Sequence, residues 1–90
     1  MPDPSSGYQP APDEQVRYGT IEKPREQVAR FVRAKIRSGA LAPGSKLPSN
    51  LDLAAAHGTS AQVARDALAI LAEEGLVVVR NRYGTFVAEE

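Results

Sequence analysis

The chain has 90 residues, with 11 basic and 11 acidic side chains and no cysteine. That length holds one small domain, and the lack of cysteine excludes disulfides and thiolate metal sites. No apolar run is long enough to span a bilayer and the N-terminus has no signal-peptide core, so a cytoplasmic protein is expected.

Residues 1–20 contain Pro2, Pro4, Pro10 and Pro12 among Ser, Gly, Gln and acidic residues. Such a composition buries too little apolar surface to offset its ordering entropy, which predicts a disordered tail over 1–20 and a folded domain over 21–90. The tail carries Asp3, Asp13 and Glu14 against Arg17, leaving the remainder at a net charge of plus two. Seven bases (Lys23, Arg25, Arg30, Arg33, Lys35, Arg37 and Lys46) lie between residues 23 and 46, with Glu26 alone among them. This basic region fits a negatively charged partner or a solvated helix face.

Pro24 suits a first helical turn, where its missing N–H has no intrahelical partner. Val28, Val32 and Ile36 follow at helical spacing and Gly39 supplies a stop, so the first helix spans about 24–38. Arg30, Arg33 and Arg37 share one of its faces, and a partial contribution to DNA contact is expected of them. Ala42-Pro43-Gly44 is a turn, and Leu47 suits a short first strand. Ser49 caps a second helix, with Asp52 placed for a capping box, and His57-Gly58 closes it. Ser60 caps the third helix, whose Ala64, Ala67, Leu68 and Leu71 repeat at i, i+3, i+4 and i+7. Its opposite face carries Gln62, Arg65 and Asp66. The run from Leu76 to Arg80, the turn Asn81-Arg82-Tyr83-Gly84 and the return from Thr85 to Ala88 spell a β-hairpin.

This order defines a mainly α fold with a small β-hairpin wing: a winged helix-turn-helix of three helices and a two- to three-stranded antiparallel sheet. The sequence resembles the DNA-binding domain of the GntR-type transcription regulators from about Val28 to Val87. The likeness rests on Ile36-Arg37-Ser38-Gly39, Leu41, Pro43-Gly44, Lys46-Leu47-Pro48-Ser49, Ala67-Leu68, Leu71, Glu74-Gly75-Leu76 and Gly84-Thr85-Phe86-Val87.

The resemblance implies a transcription regulator, expected to be a repressor, that binds double-stranded operator DNA as a homodimer on an inverted repeat. The third helix would lie in the major groove and the wing in the minor groove. Its implied DNA-binding residues are Ser49, Ser60, Ala61, Gln62, Arg65, Arg82, Tyr83, Gly84 and Thr85. Residue chemistry agrees: helix N-termini attract phosphate, glutamine can read adenine, and arginine can read guanine. The chain departs from the family where arginine is common, with Leu51 in the second helix and Ala61 in the third. Gln62 and Val63 replace the usual threonines, and Arg82 and Tyr83 replace a glycine and a base in the wing. An unusual operator is therefore expected.

Family members usually continue into an effector-binding domain, whereas this sequence stops two residues after Ala88; no small-molecule effector is expected. Met1 and the untagged tail favour a natural minimal regulator over an excised domain. No cofactor or metal is expected, since His57 is the only histidine and no base stands near Ser49 or Ser60 in the pattern. The chain is therefore not expected to be an enzyme. The rival reading is a winged-helix protein-interaction module with weak or lost DNA binding, in which Tyr83 serves a protein interface.

Overall fold

The computed structural model describes residues 8–80 and 82–89. It contains α1 (Pro24–Ser38), α2 (Asn50–His57), α3 (Ala61–Glu73), β1 (Val77–Arg80) and β2 (Gly84–Val87). Helix α1 starts on Pro24, with Glu26 Oε1 accepting from the Lys23 backbone N–H, and ends on Gly39, whose φ of 86° suits glycine best. Both predicted serine caps form: Ser49 Oγ accepts from the Asp52 N–H at 3.1 Å and Ser60 Oγ from the Val63 N–H at 3.2 Å. Each satisfies an N–H that its helix cannot pair internally.

Helix α3 packs on α1 and α2, and small Ala64 and Ala67, both fully buried, permit a close approach. The core joins Val28 and Val32 of α1, Leu53 and Ala54 of α2, Leu68 and Leu71 of α3, Leu47, Val77 and Val87. β1 and β2 pair antiparallel, with Val77 opposite Val87 and Arg80 opposite Gly84. A third, minimal strand runs beside β2: Lys46 bridges Phe86, and the Leu47 N–H donates to the Thr85 carbonyl at 2.8 Å. Val77 and Val87, a cross-strand pair at the base of the hairpin, turn into the core, whereas Val78 on the opposite face and Val79, nearer the turn, are exposed.

The expected tail falls partly outside the described residues, over 1–7, but residues 8–18 lie against α1 and α2 as a strap. Tyr8 and Val16 pack on the core cluster. The polar anchor is His57, which is fully buried. Its Nδ1 lies 2.6 Å from the Glu14 carbonyl, which can only accept, so Nδ1 carries the proton and Nε2 accepts from the Tyr8 hydroxyl at 2.6 Å. The Phe31 ring stacks on the imidazole at 5.2 Å between centroids. Two isolated apolar anchors and one satisfied imidazole seat this strap on the core, and none of them makes a periodic pattern.

Burial holds the His57 pKa below its usual 6.5, and Lys35 adds to that effect against the opposing Glu14. A lowered folded-state pKa means that the contribution is fully present above the unfolded value and is lost as pH falls from there through the lower folded value. The Glu14, Glu22 and Glu74 carboxyls all sit below their usual value, so their losses come at still lower pH. The melting temperature is thus expected to fall between about pH 7 and pH 5 through His57. His57→Gln should melt lower at neutral pH and show a flatter slope across that window. An unchanged slope in thermal melts would assign the pH response elsewhere.

Candidate nucleic-acid interface

Two exposed patches carry the residues singled out by sequence. The first is a groove between the start of α2 and the hairpin, lined by Lys46, Ser49, Asn50, Arg80, Arg82 and Tyr83. Gly84 and Thr85 line it as well, and Asp52 puts one carboxylate on its wall. The second is the start of α3, where Ser60, Gln62 and Arg65 are exposed and Ala61 is half-buried. The structure thus gathers Ser49, Arg82, Tyr83, Gly84 and Thr85 into one groove and leaves the α3 residues on a separate surface.

The chemistry of the two patches follows from their elements. Ser60 Oγ uses a lone pair for the Val63 N–H, so its hydroxyl proton remains free to donate. The Gln62 amide nitrogen donates to Asp66 Oδ1 at 2.9 Å, one helical turn on. That bond fixes the side chain while leaving its carbonyl oxygen and one N–H available, the pair an adenine edge requires. Arg65 is exposed, and Leu51 on α2 is 73% exposed.

In the wing, the Tyr83 N–H donates to the Arg80 carbonyl at 3.0 Å and closes a three-residue loop whose first member, Asn81, lies outside the described residues. Arg82 has φ of 75°, left-handed backbone that costs a non-glycine residue roughly 1–2 kcal/mol. Tyr83 is 70% exposed. Gly84 has φ of 112°, and a Cβ there would stand 2.8 Å from Lys46 Cε, so the lysine lies across the glycine.

Three basic residues of α1 are paired with carboxylates. Arg30 pairs with Glu22 at 2.8 Å, Arg33 with Glu74 at 2.5 Å, and Lys35 with Glu14. The carboxyls of Glu22 and Glu74 are held below the usual range chiefly by these arginines, so the pairs stay charged at neutral pH. The expected DNA contribution of the α1 arginines is reduced accordingly: two of the three are compensated by carboxylates. Among the described residues, Lys46, Arg65, Arg80 and Arg82 make no ion pair, and neither do Arg17, Lys23, Arg25 and Arg37. The sequence reading passed over Lys46, Asn50 and Arg80 as site residues. The signal for Arg80 was its place at the turn end of the hairpin, and for Lys46 its position just before the strand-forming Leu47.

Three packed helices followed by a two-stranded wing, with capped N-termini and uncompensated bases at one groove, define a winged helix-turn-helix protein. The chain belongs to the gntR family of bacterial regulatory proteins, whose family model matches residues 24–87. It is 41% identical over 64 residues to the histidine utilization repressor of Klebsiella aerogenes, a match covering 71% of this chain and 27% of that protein. It is 40% identical over 63 residues to an HTH-type transcriptional regulator of Mycobacterium tuberculosis, covering 70% of this chain and 52% of that one. The chain therefore spans about a quarter to a half of the length of these curated relatives.

Among solved structures, YtrA from Sulfolobus acidocaldarius, a GntR-family transcription factor, superposes with a TM-score of 0.76 at 30% identity, covering 84% of this chain and 80% of that one. The DNA-binding domain of AraR in complex with operator ORX1 gives 0.73 at 26% identity, covering 82% and 95%. Among the described residues, no helix is long and apolar enough to cross a membrane and no His, Cys, Asp and Glu cluster could hold a metal ion.

Proposed function

We propose that this chain is a sequence-specific DNA-binding regulator, cytoplasmic and without catalytic activity, which represses by covering a promoter. In this reading two copies bind an inverted repeat, α3 lies in the major groove, and the wing lies along the minor groove. Ser49 and Ser60 meet phosphates, Ala61 meets a thymine methyl, Gln62 and Arg65 read bases, and Arg82 to Thr85 track the minor groove. Lys46 and Arg80 join this set as backbone contacts.

One observation supports the reading above the others: Arg30, Arg33 and Lys35 of α1 are paired with neighbouring carboxylates, whereas Lys46, Arg80 and Arg82 at the groove and Arg65 on α3 are exposed and without an ion pair among the described residues. An uncompensated, water-facing cation is the group that gains most from releasing counterions off a phosphate backbone. Arg82 adds to this, since a residue kept in strained left-handed backbone points to a role for its side chain.

Arg82→Gly separates stability from function. Glycine relieves the left-handed strain but adds freedom to the unfolded chain, so the folding stability should change by at most about 1 kcal/mol in either direction. DNA affinity should nevertheless fall and its salt slope should drop by about one unit. A variant that binds as well as the parent contradicts the wing's role.

The reading as a whole is tested by selecting from a randomised duplex library at low and moderate salt and sequencing the retained DNA. An enriched inverted repeat with steep salt dependence supports the proposal. The protein-interaction reading draws on the exposed Leu51 and Tyr83, and absence of DNA retention at any salt would favour it.

A further inference from the structure

The strap formed by residues 8–18 is bonded to the turn that joins α2 to α3. Helix α2 leaves its last carbonyls without intrahelical donors, and the strap supplies two of them. Gln15 Nε2 donates to the Ala56 carbonyl at 2.7 Å, and the Val16 N–H donates to the His57 carbonyl at 2.8 Å. At Gly58 an added Cβ would stand 2.7 Å from Gln15 Oε1, so this side chain packs on the turn as well as bonding to it. The Tyr18 hydroxyl and Thr59 Oγ1 are 2.7 Å apart. Ser60, the cap of α3, is the next residue.

The strap is also fixed from its other side. Glu14 pairs with Lys35 of α1. Gln27 of α1, only 3% exposed, accepts the Arg17 N–H at 2.8 Å and donates to the Arg17 carbonyl at 2.7 Å and the Glu22 carbonyl at 2.8 Å. A buried glutamine whose donor and acceptor are both spent on the strap and the loop after it holds that backbone in one place. The strap therefore ties α1 to the turn from which α3 departs.

We propose that Gln15 and Tyr18 are positioning residues for DNA reading, holding the 56–59 turn so that the first turn of α3 presents Ser60, Gln62 and Arg65 in one fixed direction. The proposal rests on the DNA-binding reading above. A reader helix that rocks loses discrimination before it loses charge attraction, because base contacts need alignment and phosphate attraction does not.

The test uses the full chain and compares Gln15→Ala/Tyr18→Phe with the parent and with Thr59→Ser, which keeps the hydroxyl. The ratio of affinities for an enriched duplex and a scrambled one is measured at fixed salt, together with amide hydrogen exchange of the free proteins. Discrimination should fall about fivefold or more in the double variant with the scrambled-duplex salt slope unchanged, and Thr59→Ser should retain it. Exchange at Thr59, Val63 and Ala64 should quicken while amides within β1 and β2 stay protected. Lost melting temperature with unchanged discrimination would overturn the proposal and leave the strap a purely structural brace. Should the parent itself fail to discriminate between duplexes, the DNA reading fails separately. Exchange then decides the positioning claim, which unchanged rates at 59–64 overturn.

Discussion

Arg65→Ala is expected to weaken binding to an enriched duplex by about 1–3 kcal/mol, roughly five- to 150-fold, and to relax the preference at one base position. The argument starts from its environment. Arg65 is exposed on the second turn of α3, and among the described residues no carboxylate forms an ion pair with it. The nearby acid, Asp66, is engaged by Gln62. A fork of donors facing water with no internal partner contributes little to the fold, so its removal should leave the folding stability within about 0.5 kcal/mol of the parent. Binding and stability thus separate at this residue. Fluorescence anisotropy on the parent and variant checks it, and equal affinity together with equal base preference would remove Arg65 from the reading surface.

Two leucines of one short helix should behave oppositely. Leu53 is fully buried at the meeting of α1, α2 and α3, whereas Leu51, two residues earlier, is 73% exposed. Leu53→Ala deletes methyl groups from a core too small to close the gap, costing about 2–5 kcal/mol by transfer and cavity terms together. For a domain of this size each kcal/mol lowers the melting temperature by about 4–8 °C, so the variant should melt at least roughly 10 °C lower. Native stabilities of about 5–15 kcal/mol leave little reserve for such a loss. Leu51→Ala should stay within about 0.5 kcal/mol of the parent. Circular-dichroism melts of the pair settle both, and similar melting of Leu53→Ala and the parent would contradict the assigned core.

Leu51 also marks a local conflict with consequence for function. A large apolar side chain at the start of α2, beside the groove of Lys46 and Ser49, contributes no charge to phosphate binding. The surface gains its positive charge from the wing side, at Arg80 and Arg82, and from Lys46 laid across Gly84. The same net attraction can thus be built from a different side of the groove.

The elements whose causes are local could be read from the chain. Pro24 and Gly39 bound α1, Ser49 and Ser60 cap α2 and α3, and the β-branched run before Gly84 gives the hairpin, because each signal acts within a few residues. The exposure of Gln62 and Arg65 was legible for the same reason, as the complement of an apolar helical stripe. Features set by partners far along the chain were not. His57 is buried because Tyr8 and Glu14, more than forty residues away, satisfy its two nitrogens. Arg33 is compensated by Glu74 at a separation of 41 residues, which no window of periodicity can reveal. The strap escaped for a related reason: Tyr8 and Val16 are single apolar residues in a proline-rich setting, and only their pairing with α1 and α2 gives them an ordered place. Lys46 belonged by sequence to the basic stretch around α1, yet its bridge to Phe86 carries it to the wing.

The central claim is that the α2 start, the first turns of α3 and the wing together face a DNA duplex. Mapping amide shifts of the labelled protein during titration with a short duplex tests it most directly. The account predicts shifts concentrated at Lys46 to Asp52, Ser60 to Asp66 and Arg80 to Thr85, fading as salt rises, with the outer face of α1 around Arg30 and Arg33 unmoved. Shifts confined to α1 or to the strap, or none at low salt, would contradict it.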